Sequence, residues 1–251
     1  MTPVLTHCVG RIGHITLNRP AAMNAITVDL ARALAAAVID LGAATDVIVL
    51  RGAGGNFSVG GDVKELERLH AEGPEALRTL FASFGRACAA TTDVPVPVVA
   101  AVEGYAFAGG FELMLASDIV VIREDARIGD HHANFGMIPG GGSSQRLPRL
   151  VGRQRALGLL LSGEHLTGRD AVAWGLAYRS APAAKFEEVL NALVQRLAHG
   201  SRTASVATKA LVRTGLERPL AVGLAQEIDA VVEHLQRPDA LARFARLGET
   251  R

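Results

Sequence analysis

An α/β fold is predicted by three features of the sequence. There are short apolar runs without helical periodicity, amphipathic segments that alternate with them, and two glycine-rich turns that each leave an apolar run and enter a helix. Residues 4–9 and 12–17 read as two strands around the turn Gly10-Arg11, and Asn18-Arg19-Pro20 then stops the run. Thr27 caps a helix whose apolar residues Leu30, Leu34 and Val38 recur every fourth residue. Residues 47–50 are all apolar between Asp46 and Gly52, the pattern of a strand covered on both faces. After the glycine-rich stretch 52–61, helices are expected from Asp62 through Leu66 and Leu69 and over residues 75–90. Pro95 and Pro97 then forbid helix and favour extended chain as far as residue 102. Gly109-Gly110 opens a short helix over 111–117, and residues 119–122 return to strand. Helices are expected at 154–161, 169–174, 184–198, 204–213, 220–235 and 240–247. A core domain over residues 1–190 and a helical region over residues 191–251 follow from the shift in composition near residue 190.

Composition narrows the partners. With 26 Lys and Arg against 25 Asp and Glu, the net charge of +1 gives no global field to recruit nucleic acid or an anionic membrane. An anionic ligand must therefore be held by local groups. Cys8 and Cys88 are too few for a disulfide framework and carry no zinc spacing, so a reducing cytoplasm is the expected location. His7, Arg11, His14 and Arg19 interrupt the first 20 residues, so no secretory signal is expected there. The most apolar stretch, 105–122, is broken by Gly109, Gly110, Glu112 and Asp118 and falls short of a membrane span.

The two glycine-rich turns are Ser58-Val59-Gly60-Gly61-Asp62 and Phe107-Ala108-Gly109-Gly110-Phe111-Glu112. Glycine admits close backbone approach, and the first N–H groups of a helix have no intrahelical acceptor, so each turn can aim an N–H at a developing negative charge. Two converging N–H groups make an oxyanion hole. A tight strand-to-helix connection is the plainer reading of either turn alone. Glu112 stands in a first helical turn, where the helix dipole favours it and where it can also serve as acid or base. Asp130-His131-His132 invites a metal reading. On an extended segment adjacent side chains point to opposite sides, so at most Asp130 and His132 share a face and no metal is expected. His131 reads as a hydrogen-bonded structural residue. Residues 139–142 lack the following Lys-Ser or Lys-Thr pair of a phosphate-binding loop.

Four segments together resemble the enoyl-CoA hydratase/isomerase (crotonase) family over nearly the whole chain. They are Ile15-Thr16-Leu17-Asn18-Arg19-Pro20 with Met23-Asn24-Ala25, the run from Phe57 to Leu66, the run from Val102 to Leu113, and Gly136-Met137-Ile138-Pro139-Gly140-Gly141-Gly142 with Gln145-Arg146-Leu147. The resemblance implies a spiral of ββα turns with a C-terminal helical trimerisation region, and a homo-oligomer that is a trimer or a dimer of trimers. It implies that the backbone N–H groups of Gly61 and Gly109 bind a thioester carbonyl oxygen and that Glu112 is catalytic. It places Ala25, Gly60, Asp62, Lys64, Tyr105 and Phe135 near substrate or coenzyme A, with Phe244 reaching the coenzyme A of a neighbouring protomer. Position 21, often basic in the family, is Ala here, so phosphate contacts fall to Lys64 and to C-terminal residues such as Arg243 or Arg246.

The main departure is His132, which stands where the family places its second catalytic glutamate. Histidine exchanges protons near neutral pH, and Glu112 would support its charged form. The activity expected is addition of water to a trans-2-enoyl-CoA by Glu112 and His132. No cofactor is expected beyond the coenzyme A of the substrate. The same hole would also serve an isomerase or other lyase, a carbon-carbon hydrolase of β-diketones, or a protein that binds acyl-CoA without turnover.

Overall fold

The computed structural model describes residues 2–238 and residue 240. The chain begins with strands β1 (Val4–Val9) and β2 (Ile12–Leu17), followed by helix α1 (Val28–Ala44), whose cap Thr27 accepts the Leu30 N–H at 3.1 Å. Strand β3 (Val47–Gly52) precedes helices α2 (Val63–Glu72) and α3 (Pro74–Asp93), and the Asp62 carboxylate caps α2 by accepting the Glu65 N–H at 3.1 Å. Next come β4 (Val98–Val102), β5 (Tyr105–Phe107), α4 (Gly109–Ala116), β6 (Ile119–Arg123) and β7 (Arg127–Gly129). The remaining elements of the core are α5 (Ser143–Val151), α6 (Arg153–Ser162), β8 (Leu166–Thr167), α7 (Gly168–Ala173), β9 (Arg179–Ala181) and α8 (Phe186–His199). Two further helices follow, α9 (Arg202–Gly215) and α10 (Leu220–Leu235).

Two sheets organise the core. Six strands run in the order β1-β2-β3-β4-β6-β9, with β1 antiparallel to β2 and every other neighbour parallel. A smaller sheet of β5, β7 and β8 lies apart, extended by a bridge from Ser58 to Ala106. The chain thus repeats one unit: a strand in the large sheet, a strand or bridge in the small one, then a helix. β4, β5 and α4 make one such turn, and β6, β7 and α5 another. This is the expected α/β spiral of ββα turns.

The parallel strands are continuous apolar runs because both faces are covered. Val47, Val49, Val99, Ala101 and Val121 pack against Phe186, Leu190, Leu193 and Val194 of α8. That packing locates the domain limit. Residue 190 lies inside α8 and is buried with the core, so along the chain the division between compact units falls between Ala198 and His199, eight residues beyond the composition shift. The second compact unit contains α9 and α10, which pack on each other and bury no residue fully. The helix expected over 240–247 lies outside the described residues.

Most predicted elements are present with ends moved by a few residues. The sequence pattern does not show α5, because Pro148 falls within it and three glycines precede it. Nor does it show the small sheet, whose strands are only two or three residues long. Among the described residues no helix is long and apolar enough to cross a membrane.

Because Phe186 is fully buried against the sheet, Phe186→Ala should lower stability by about 3–5 kcal/mol. Chemical denaturation should show this as a lower midpoint with an unchanged slope.

Candidate active site

The two glycine-rich turns are brought together by strand pairing. Ser58 N–H donates to Tyr105 O at 3.0 Å and Phe107 N–H donates to Ser58 O at 2.9 Å, so the turns that leave these segments arrive side by side. Their approach excludes side chains. A Cβ on Gly60, at φ +95°, would lie 2.7 Å from Ala108 Cβ and 2.9 Å from Gly109 N, and one on Gly110 would lie 2.1 Å from Ser58 O. Ala108 itself has φ 48° and ψ −119°, a conformation that strains any residue with a Cβ. It is held there by its own N–H, which donates to Gly129 O at 3.1 Å.

Both turns border one cavity. Gly109 is the first residue of α4, so its N–H has no intrahelical acceptor. Around Gly61, Ile26 N–H donates to Gly60 O at 2.7 Å and Asp62 N–H donates to Ile26 O at 2.9 Å, which turns the N–H of Gly61 away from Ile26. Gly61 and Gly109 line a cavity of about 740 Å³ that Glu112 and His132 also line.

Glu112 is 2% exposed, and its Oε1 accepts the N–H groups of Gly141 at 2.7 Å and Ser143 at 3.0 Å. Burial raises its pKa above the usual carboxylate value. The two N–H bonds and the charge of His132 oppose this without cancelling it. Cys88, also buried nearby, has its thiol pushed up to about 12 by burial, with the charge of Glu112 adding to the effect; it stays protonated and is no nucleophile.

His132 opens a short 3-10 turn, His132–Phe135, entered through His131 in a left-handed conformation with φ 58°. The segment therefore bends where extended chain was expected, and Asp130 and His132 meet: His132 Nδ1 lies 2.8 Å from Asp130 Oδ1. Burial alone disfavours the charged imidazole. The Asp130 hydrogen bond and the charges of Asp130 and Glu112 outweigh it and hold the pKa above the ordinary histidine value. The role read for His131 needs correction. Its ring stacks on Phe107 at 3.8 Å between centroids, and its buried Nε2 has no hydrogen-bond partner among the described residues. Burial and the neighbouring His165 lower its pKa.

The other predicted residues divide. Phe135, 76% exposed, lines the cavity, as do Gly61 and Gly109; Met137, two residues on, lines it as well. Gly60 makes the close approach behind it. Ala25 is buried, with its carbonyl accepting Arg19 Nη1 at 2.5 Å, and Asp62 pairs with Arg19 at 2.8 Å while capping α2. Lys64 and Tyr105 are exposed and off the cavity wall, Tyr105 stacking on Phe107 at 5.1 Å. Phe244, Arg243 and Arg246 lie outside the described residues. Among the described residues no group of three or more metal-ligating side chains occurs.

Sequence reasoning missed three contributors: the Asp130 carboxylate as partner of His132, the Gly141 and Ser143 N–H groups on Glu112, and the apolar wall. Leu77, Leu80, Phe81 and Phe84 of α3 line the cavity with Leu66 of α2. Their spacing of three, four and seven residues was a visible signal, yet it reads as an ordinary core stripe.

The sequence pattern of the enoyl-CoA hydratase/isomerase family matches residues 9–245. The chain belongs to this family. A Rhizobium meliloti (strain 1021) protein named as a probable enoyl-CoA hydratase is 37% identical over 224 residues, covering 88% of this chain and 85% of the relative. The crystal structure of an enoyl-CoA hydratase from Bacillus anthracis superposes with a TM-score of 0.94 at 28% identity, covering 99% of this chain and 97% of that one. A Thermobifida fusca YX protein provisionally described as an enoyl-CoA hydratase, solved in complex with acetoacetyl-CoA, gives a TM-score of 0.86 at 28% identity, covering 94% and 95% of the two chains. The family assignment accounts for the spiral core.

Gly110→Ala should destabilise the protein by about 1–3 kcal/mol, since the added methyl meets backbone rather than a flexible side chain. Gly158→Ala, in α6 with no neighbour within 4 Å, should instead be neutral or stabilising by up to about 1 kcal/mol. Equal effects in thermal unfolding would show that the turns are not closely packed.

Proposed function

We propose that this chain adds water reversibly to the double bond of a trans-2-enoyl-CoA. One observation carries the reading: two helix-opening turns converge on an apolar cavity in which a buried carboxylate and a carboxylate-paired histidine face the same space. The thioester oxygen is held by the Gly61 and Gly109 N–H groups. As negative charge develops on that oxygen, the two donors stabilise the enolate more than the ground-state carbonyl.

Glu112, as carboxylate, takes a proton from water while the water oxygen bonds to C3. The π electrons of the C2–C3 bond move toward the thioester, and His132 Nε2–H delivers its proton to C2. Transfer of the proton from Glu112 back to His132 restores the enzyme, and the sum is one water added. Their surroundings suit both groups to their tasks: burial makes Glu112 a stronger base, and against the opposing effect of burial the paired Asp130 keeps His132 charged as an acid.

The acyl group of this substrate is apolar, matched by Leu66, Leu77, Leu80, Phe81 and Phe84. Ala25, Gly60, Asp62, Lys64, Tyr105 and Phe135 lie along the proposed coenzyme A path, and no cofactor beyond that coenzyme A takes part. The acetoacetyl-CoA of the Thermobifida fusca relative supports an acyl-CoA ligand. The protein acts as a homo-oligomer, a trimer or dimer of trimers in the cytoplasm; exposed Leu216, Leu220, Leu224 and Ile228 supply apolar surface for assembly.

The test is loss of the enoyl-thioester ultraviolet absorbance, with mass spectrometry of the product. A gain of one water is expected; tight binding without change would leave another acyl-CoA reaction or a binding protein. Glu112→Gln should lower kcat by about a hundredfold or more with little change in KM. The pH profile should be bell-shaped. The base must be ionised, so its raised pKa moves the acid limb upward from the usual carboxylate range, and the acid must be protonated, so activity falls above the raised pKa of His132.

A further inference from the structure

A carboxylate that the hydration scheme does not itself use is the most informative group left over. Asp130 is 1% exposed, its Oδ1 lies 2.8 Å from His132 Nδ1, and its Oδ2 has no hydrogen-bond partner among the described residues. A buried carboxylate with one oxygen unsatisfied is costly unless an opposite charge compensates it. Here the imidazole is the group in position to do so.

The segment that carries this pair is anchored. Gly129 ends β7 and accepts the Ala108 N–H at 3.1 Å, so the same residue fixes the strained turn beside Gly109 and the start of the Asp130-His132 segment. A Cβ on Gly129 would lie 2.7 Å from Glu164 O, and His131 then adopts its left-handed conformation and stacks on Phe107. Neither Asp130 nor His132 is placed by a loose loop. Their contact is built into the same framework as the N–H donors.

We infer that Asp130 is a positioning residue for His132: its carboxylate holds the proton on Nδ1 and thereby presents Nε2 to the cavity as the nitrogen that gives and takes the proton. With Nδ1–H committed to Asp130, the neutral imidazole has its lone pair on Nε2, and the charged imidazole has its transferable proton there. Without the carboxylate the ring is free to place its single proton on Nε2, which removes the acceptor from the cavity. The charged and titratable groups around His132 are Asp130 on its own segment, Glu112 from α4 and the adjacent His131. Asp130 and Glu112 favour its protonation, burial opposes it, and the charge of His132 in turn lowers the pKa of His131. Asp130 is the partner in direct hydrogen-bond contact.

The catalytic part of the inference rests on the hydration reading, and its decisive measurement does not. Nitrogen NMR of the full chain labelled with 15N-histidine, with His132→Gln as the assignment control, reads tautomer and titration midpoint without substrate. In the wild type, His132 should titrate above ordinary histidine, and its neutral form should carry the proton on Nδ1. In Asp130→Asn, the midpoint should fall and Nε2–H should become populated. If turnover is present, its kcat should drop by about a hundredfold or more with KM little changed, and the alkaline limb of the pH profile should move to lower pH, because loss of the carboxylate lowers the pKa of the required acid. A neutral wild-type ring protonated on Nε2 overturns the inference even if Asp130→Asn fails to fold. So do identical midpoints and tautomers in the two proteins. Failure of hydration alongside the expected NMR result would reject the reaction and leave the positioning role intact.

Discussion

The contact between Gly60 and the Ala108-Gly109 turn is the constraint on which the rest of the site depends. A methyl group at Gly60 would stand 2.7 Å from Ala108 Cβ, so the two turns approach as closely as backbones allow. Strand pairing drives them together: the bonds between Ser58 and β5 fix the register, and the turns have no freedom to part while those bonds persist. Ala108 pays for the approach in backbone strain, which the surrounding hydrogen bonds hold in place. Donors fixed this way need no reorganisation when charge develops, and that is where such a hole gains its advantage over water.

Around that contact the charged groups form a set whose total is informative. Asp130 and Glu112 as carboxylates with a protonated His132 sum to one negative charge and carry one readily transferable proton. Two carboxylates sharing a single proton have the same sum. If His132 stands in for a carboxylate, as the resemblance implies, an Asp130 buried against its ring keeps the charge and proton count of such a pair.

The spiral core was legible in the sequence because parallel strands buried on both faces leave uninterrupted apolar runs such as residues 47–50, and because the turns between them need glycine. The small sheet was not, since strands of two or three residues carry no period. Glu112, Gly61 and Gly109 could be named from the resemblance, and the structure puts all three on one cavity. An extended reading of residues 128–136 lets Asp130 and His132 share a face, but the left-handed bend at His131 and the direct hydrogen-bond contact it accompanies leave no signal in the sequence. The Gly141 and Ser143 donors to Glu112 are backbone groups 29 and 31 residues away and leave no side-chain signature. Residue 190 failed as a boundary because composition changes where helices begin to dominate, whereas packing ends only where α8 leaves the sheet.

The apolar wall from α2 and α3 has an electrostatic effect beyond its shape. Leu66, Leu77, Leu80, Phe81 and Phe84 keep water from one side of the cavity, which lowers the effective dielectric around Glu112, His132 and the two N–H donors. That one change acts in two directions. It strengthens the attraction between the donors and an enolate oxygen, and it makes an isolated carboxylate costly, so Glu112 is pushed toward its protonated form. The Gly141 and Ser143 bonds offset part of that cost at one oxygen. In the proposed reaction the carboxylate therefore stays ionisable in surroundings dry enough for two N–H donors to hold a developing negative charge, a balance that a more polar α3 stripe would lose on the donor side and a bare apolar pocket on the carboxylate side.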